Sequence, residues 1–443
     1  MLSTSSSGRS SGTSETRSLE FSWARKVKMS MTSRQRALIF FLLVHTFVVH
    51  KFVYHKKRCI FVAENQFGME KTFVYGVSVD GDNFTDRETE TKRLQLDFEN
   101  GVNVILISPR RMGKTSLVRR VQETVGSDDV IVVYMDVYDC RSEYDFYNRF
   151  ATELLKQTAS HINNVVENVK DFLSRVSPKI SFNPGANNDI SISLGITPKE
   201  YQPEEILQLP ETIAIKKKKH IVVCIDEFQQ IGSFSDSVTT QKKMRGVWQH
   251  QHNVSYCLFG SKQHLLTQIF QSKNMPFYQF GDILYLNPIP TEKWIPFIQK
   301  KFFNKNLSIS DVYCEKICSV VNNHSSYVQQ LAWNVMLNTE DVVTEESFQN
   351  GLSDLLINNS PLFMQQIEGL TTYQMNFLKM LAADVNSDFM SSKILSEYQL
   401  GSKSNIPRLK RTLLEKELIE IRLDGVYFSD PVFKMWFKRE WCK

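Results

Sequence analysis

Two short stretches carry residues whose types and spacing suit phosphate chemistry. The first is Ser108-Pro109-Arg110-Arg111-Met112-Gly113-Lys114-Thr115-Ser116, which follows the apolar run Val104-Ile105-Leu106-Ile107. A tight loop between a strand and a helix gathers backbone N–H groups at a helix N-terminus, where an anion is favoured. Lys114 adds a point charge for the β and γ phosphates of a nucleotide, and the Thr115 hydroxyl is a ligand for Mg²⁺. The phosphate-loop spacing is G-x-x-x-x-G-K-[ST], with Ser108 standing at the first glycine. Pro109 biases Ser108 to extended backbone, so that position does not need a positive φ. The second stretch is His220-Ile221-Val222-Val223-Cys224-Ile225-Asp226-Glu227-Phe228, an apolar run ending in adjacent carboxylates. An aspartate at a strand end can hold the Mg²⁺ shell, and a following glutamate can polarise an attacking water. Paired acids also favour helix N-termini for reasons of charge alone. The loop farther upstream decides for chemistry, with Glu227 and Lys114 as catalytic candidates and Thr115 and Asp226 as Mg²⁺ ligands. ATP and Mg²⁺ are the ligands this pattern calls for.

The elements that must position these residues read as alternating strands and helices. A helix is predicted from Ser116 to Thr124, a second strand over Val130 to Met135, and a long helical segment from Glu143 to Ser174. Residues Ser177 to Ile196 alternate around Asn183-Pro184-Gly185 and predict a small β insertion. The Asp-Glu strand is third, Val254 to Phe259 fourth and Ile283 to Leu286 fifth. This alternation predicts an α/β fold with a parallel five-stranded sheet in three layers. From Thr291 to Leu356 the pattern is helical throughout. Leu370 to Ala383 is amphipathic, and Ser391 to Tyr398 with Ser404 to Lys416 form a helix pair around Gly401. Ile419 to Arg422 and Val426 to Phe428 flank Asp424-Gly425 as a two-stranded wing. The tail is therefore expected to be a winged helix.

A chain of 443 residues has room for two or three domains. The expected division is a leader over 1–68, a phosphate-loop core over 69–290, a helical lid over 291–358 and a winged-helix domain over 359–443. A formal net charge of +5 gives no global field for nucleic acid, so any basic surface must be local. The seven cysteines include no C-x-x-C pair, and none of the nine histidines falls in an H-E-x-x-H spacing. Cys314 and Cys318 lack neighbouring histidines and read as core thiols, which fits a reduced, cytoplasmic setting. The leader begins Ser-, Thr- and Arg-rich. Its apolar run, residues 37–54, falls short of the roughly 20 residues of a membrane span and is broken by His45, Thr46, His50 and Lys51. A single N-terminal membrane tether is the alternative to a protein whose working part starts near Met69. No small-residue cleavage site follows the run, which disfavours a signal peptide.

Taken together, these residues resemble the archaeal-type ATPase family of P-loop proteins, related to the AAA+ and STAND NTPases. The resemblance rests on Phe84-x-x-Arg87-Glu88, Ser108 to Leu117, Ile225-Asp226-Glu227-Phe228-Gln229, Gly260-Ser261 and Asp430-Pro431-Val432-Phe433-x-x-Trp436. It implies an ATP-dependent switch with a lid and a C-terminal winged helix. It further implies that Arg87 and Glu88 lie near the adenine and that Ser261 senses the γ-phosphate. Two departures stand out. Where relatives carry Gly-x-Pro in the lid, this chain has Asn323-His324-Ser325. The segment Met275 to Asp282, where relatives supply an arginine, has no basic residue. Arg110, Arg111 and Arg245 are the remaining candidates for a catalytic arginine, so slow turnover in isolation is expected, stimulated by self-association or a partner. Through residues 370–443 the partner is either DNA, met by Lys403, Arg408, Lys410 and Arg411, or a protein. A DNA-binding regulator with a mainly structural nucleotide site is the alternative function, and a small-molecule kinase ranks below both.

Overall fold

The computed structural model describes residues 72–79, 81–125, 129–158, 183–184, 190–191 and 203–442. The expected leader, its apolar run and most of the predicted β insertion lie outside them. Within them, β1 (Val104–Ile107), β2 (Val130–Asp136), β5 (His220–Asp226), β6 (Val254–Gly260) and β7 (Asp282–Tyr285) form one sheet in the order β2-β5-β6-β1-β7. Every pairing in it is parallel. The inner strands are mostly apolar and buried at nearly every position, because helices cover both faces of a parallel sheet. One face packs Ile105, Val223 and Leu258 against α3 (Glu143–Thr158), α4 (Pro203–Leu207), α5 (Leu209–Lys217), α6 (Ser237–Trp248) and α7 (Gln263–Gln271). The other packs Leu106, Cys224 and Phe259 against α1 (Glu88–Glu99) and α2 (Lys114–Thr124). The ribbon predicted around Asn183 is present as β3 (Asn183–Pro184) and β4 (Ile190–Ser191), paired antiparallel.

After β7 the chain is helical: α8 (Thr291–Phe303), α9 (Asp311–Val320), α10 (Ser325–Leu337) and α11 (Glu345–Ile367). Helix α11 starts at a capping box, Thr344 with Ser347, and runs unbroken through residues 358 and 359. Then come α12 (Thr372–Ala382), α13 (Ser392–Glu397), α14 (Asn405–Glu415), the hairpin β8 (Ile419–Arg422) and β9 (Gly425–Phe428), and α15 (Pro431–Trp441). This is the predicted winged helix, and Gly401 takes φ +79° in the turn before α14. Gly425 has a different job from the one expected. Arg422 pairs with Gly425, so Leu423 and Asp424 make the turn. A Cβ on Gly425 would sit 2.6 Å from the Asn386 carbonyl oxygen, so glycine is needed for that close approach.

The helical segment and the winged helix share a single apolar core. Trp294, Phe302, Tyr327, Leu331, Phe363, Phe377, Leu413, Phe433 and Trp436 belong to one continuous cluster. Phe363 of α11 meets Phe433 of α15 edge to face and Trp436 at a tilt, with ring centroids 5.3 and 5.5 Å apart. Trp436 also donates its ring N–H to Ser360 Oγ at 3.0 Å. Phe73 is buried in this cluster, 6.2 Å from the rings of both Phe297 and Phe302. Beside it, the Val74 N–H donates to Gln329 Oε1 at 3.0 Å, and the Val79 N–H donates to Ser116 Oγ at 2.9 Å.

Candidate active site

Parallel strands bring their C-terminal ends to one edge of the sheet, so the loops after β1, β5 and β6 meet there. The loop after β1 turns through Arg111 and Gly113, both left-handed at φ +59° and +91°. Lys114 follows as the first residue of α2, buried, with its ammonium folded back onto its own loop. It donates to the Ser108 carbonyl at 3.0 Å, to Ser108 Oγ at 3.2 Å and to the Pro109 carbonyl at 2.8 Å. Burial draws its pKa down to about 8, against the opposing pull of Asp226 and Glu227. Ser108 does not adopt a left-handed backbone, so its position needs no glycine, and its carbonyl and hydroxyl both accept from Lys114.

Thr115 donates its hydroxyl to Asp226 Oδ2 at 2.7 Å, across 111 residues of sequence. Tyr134 of β2 donates to the same oxygen at 3.0 Å, and Oδ1 accepts from the Glu227 N–H at 2.9 Å. The Asp226 carboxyl is pushed up to about 6, chiefly by burial, with Glu227 and Asp136 nearby adding to the rise and the Thr115 bond opposing it. Glu227 sits at φ +56°, a backbone position that costs energy for a side chain with a Cβ and marks many working sites. Its Oε2 accepts from the Ser261 hydroxyl at 2.9 Å and from the Gln229 amide. The donor set fits Mg²⁺ with a nucleotide: a hydroxyl and a carboxylate side by side, hard oxygen ligands as Mg²⁺ requires, with a buried ammonium beside them. Among the described residues no other cluster of His, Cys, Asp or Glu could hold a metal.

A family model described as an ATPase domain predominantly from Archaea matches residues 84–280, and one described as a probable winged helix domain matches residues 361–439. The core is an archaeal-type ATPase domain, and a winged helix follows it. Among solved structures, a Walker-type ATPase of Pyrococcus abyssi is 17% identical with a TM-score of 0.61, over 83% of this chain and 100% of its own. The ORC2 protein of Aeropyrum pernix, solved as ADPNP and ADP complexes, is 12% identical with a TM-score of 0.51, over 85% of this chain and 99% of its own. At such identities the likeness concerns the fold. No curated protein matches the chain.

Within this ATPase core the remaining candidates fall into two groups. Arg87 is buried at φ +75°, joined to Glu90 at 2.8 Å and to the Met112 carbonyl at 3.4 Å, so it braces the phosphate loop from the α1 side. Arg110 lies at the loop's other flank, its Nε 3.3 Å from Ser261 Oγ. Arg111 adjoins Tyr327 of α10 and Asp430, whose carboxylate caps α15 and accepts from Tyr327. His324, the cap residue of α10, rests its ring on the Arg110 backbone, and burial lowers its pKa. Arg245 is apart from all of these. Its guanidinium lies 4.8 Å over the Phe280 ring, two residues before β7 begins and so near the N-terminal end of the strands. A four-residue strand spans about 13 Å, which removes Arg245 from the site.

Gln229 was not singled out for a role by sequence reasoning. It is buried, holds Glu227, and lies where a Cβ on Gly260 would be 1.8 Å from its Oε1. The signal was a polar residue two places after the glutamate together with a glycine closing the next strand.

Proposed function

We propose that the chain binds Mg-ATP at the loop Ser108 to Ser116 and hydrolyses it slowly, as a nucleotide-dependent switch coupled to the winged helix. The observation that carries this reading is the meeting of Thr115 and Asp226, which brings the loop and the Asp-Glu strand to hydrogen-bond distance. In this scheme Lys114, now bonded to three loop oxygens, would pair with phosphate oxygens instead. Thr115 and Asp226 would hold Mg²⁺, which would supply charge compensation for the phosphates. Glu227 orients the attacking water, and Ser261 lies within reach of both Glu227 and the position of a terminal phosphate. Turnover in isolation is slow, because Arg110 and Arg111 are the basic residues of the set left near the loop and both have partners already.

Calorimetry tests the reading. Lys114→Ala removes a charge aimed at phosphate and should weaken Mg-ATP binding at least tenfold, about 1.4 kcal/mol. Unchanged affinity would refute the site.

A second reading concerns the winged helix. Lys403, Arg408 and Arg411 are exposed at and along α14, whereas Lys410 is spent on the Phe389 ring at 4.3 Å. Arg411 also pairs with Glu415 at 3.8 Å, an exposed contact that a phosphate could replace, and exposed cations suit a phosphate backbone. Duplex binding whose salt dependence flattens by about two units in the Arg408→Ala, Arg411→Ala pair supports DNA as the partner. Absence of binding at low salt assigns the tail to a protein partner.

A further inference from the structure

One guanidinium joins the candidate active site to the winged helix. Arg110 places Nε 3.3 Å from Ser261 Oγ and Nη2 3.2 Å from a carboxylate oxygen of Glu417. Glu417 lies between α14 and β8. Lys262 reaches the other oxygen of the same carboxylate at 3.4 Å, an ionic contact in which that oxygen accepts no hydrogen bond although it is fully buried. The Ser261 hydroxyl, bracketed by Arg110 and Lys262, is the group that donates to Glu227 at 2.9 Å.

We propose that Arg110, Lys262 and the Ser261 hydroxyl form an anion subsite for the terminal phosphate of a nucleoside triphosphate, and that the Glu417 carboxylate fills this subsite when that phosphate is absent. The inference rests on the nucleotide reading above and adds a partner and a consequence to it. Two cations converge on the Glu417 carboxylate, while the Ser261 hydroxyl beside them is turned to Glu227. A planar guanidinium pairs with phosphate as readily as with carboxylate. A terminal phosphate brings more charge and more acceptor oxygens than Glu417, and a diphosphate ends one group short of it.

The mounting of Glu417 suits exchange. Its backbone is fixed at φ +58°, with its N–H bonded to the Leu414 carbonyl and the next N–H to that of Leu413. The carboxylate is thus presented from a stiff corner. Its ion pairs are part-exposed, and such pairs are individually weak. A cavity of about 580 Å³ adjoins the subsite, bordered by Arg110, Lys262, Glu417, Leu414 and Phe433, and gives the displaced carboxylate room. Glu417 belongs to the helical body with the shared apolar core. Its displacement therefore loosens that body at this corner, while the Arg111–Tyr327–Asp430 contact holds the neighbouring one.

The test uses the full chain, with Mg-ADPNP and Mg-ADP titrated by calorimetry at fixed ionic strength. Glu417→Gln removes the competing charge and should raise the ratio of ADPNP to ADP affinity about three- to tenfold. Glu417→Asn, which tolerates a left-handed backbone, should act alike. In an Arg110→Ala background Glu417→Gln should change the ratio no further. Hydrogen exchange at Leu418 and Ile419 in the unsubstituted protein should rise with ADPNP and stay level with ADP. A ratio unmoved by either Glu417 variant, in a protein that binds both nucleotides, overturns this inference alone. A protein that binds neither nucleotide overturns the nucleotide reading and this inference with it.

Discussion

Between Trp294 and Phe437 the buried side chains are overwhelmingly aromatic and aliphatic and belong to one cluster. Along the C-terminal edge of the sheet the buried residues include Ser108, Lys114, Ser116, Asp226 and Gln229. The first region is held by dispersion and the hydrophobic effect, which are strong in sum and indifferent to direction. The second is held by hydrogen bonds and charge, whose partners can be exchanged one for another. The helical body is therefore built to move as a piece. The edge is built to change partners.

The largest effect expected from this contrast is in the body. Phe433→Ala opens a cavity where α11, β9 and α15 meet and should cost about 3–5 kcal/mol of stability. Lid and winged helix should unfold in one transition, followed by denaturant titration with far-UV circular dichroism and tryptophan fluorescence. If α12 to α15 melt separately while α8 to α11 stay folded, the shared core is no mechanical unit. At the edge, Glu227→Gln should leave Mg-ATP binding in place and cut steady-state turnover at least a hundredfold, about 2.7 kcal/mol. Turnover close to that of the unsubstituted protein would mean that Glu227 does not act on water.

Gly260→Ala sharpens the comparison, since it pushes a methyl group into the clamp on Glu227 rather than into an apolar core. It should cost about 1–3 kcal/mol of stability and reduce kcat while leaving nucleotide affinity near its original value. A variant that loses affinity and kcat together would place the fault in the loop. The smallest effect belongs to Arg245→Ala. Loss of the contact with Phe280 should lower stability by about 0.5–1 kcal/mol and leave turnover unaltered. Abolished turnover would restore Arg245 as a catalytic arginine.

Much of this was legible from residues. The loop at Ser108 to Ser116 and the Asp226-Glu227 strand end were plain because few spacings satisfy phosphate and metal at once. The five-stranded parallel sheet followed from apolar runs alternating with helical periods. What remained hidden was partnership. Periodicity shows that α11 and α15 each have an apolar face, and does not show that the faces meet. Arg245 was a candidate for the site because its distance from β6 in sequence says nothing of which end of the strand it joins. Gly425 read as a turn glycine since Asp-Gly is a common hairpin signal, and its true constraint is the Asn386 backbone, 39 residues away. Phe73 was passed over because a lone aromatic before a polar stretch carries no period. Arg110 and Glu417 are far apart in the chain, and both are common surface residues.

The segment from Val74 to Val79 has a mechanical consequence. One end is pinned to α10 through Gln329, and the other to the phosphate-loop helix through Ser116. The five steps from Val74 to Val79, drawn fully taut, reach about 17 Å. While both pins hold, this strap caps the distance between those two helices, however the charges at the edge rearrange. It sets an end-stop on any hinge between the helical body and the sheet, so the body can rock over the loop but cannot swing clear of it.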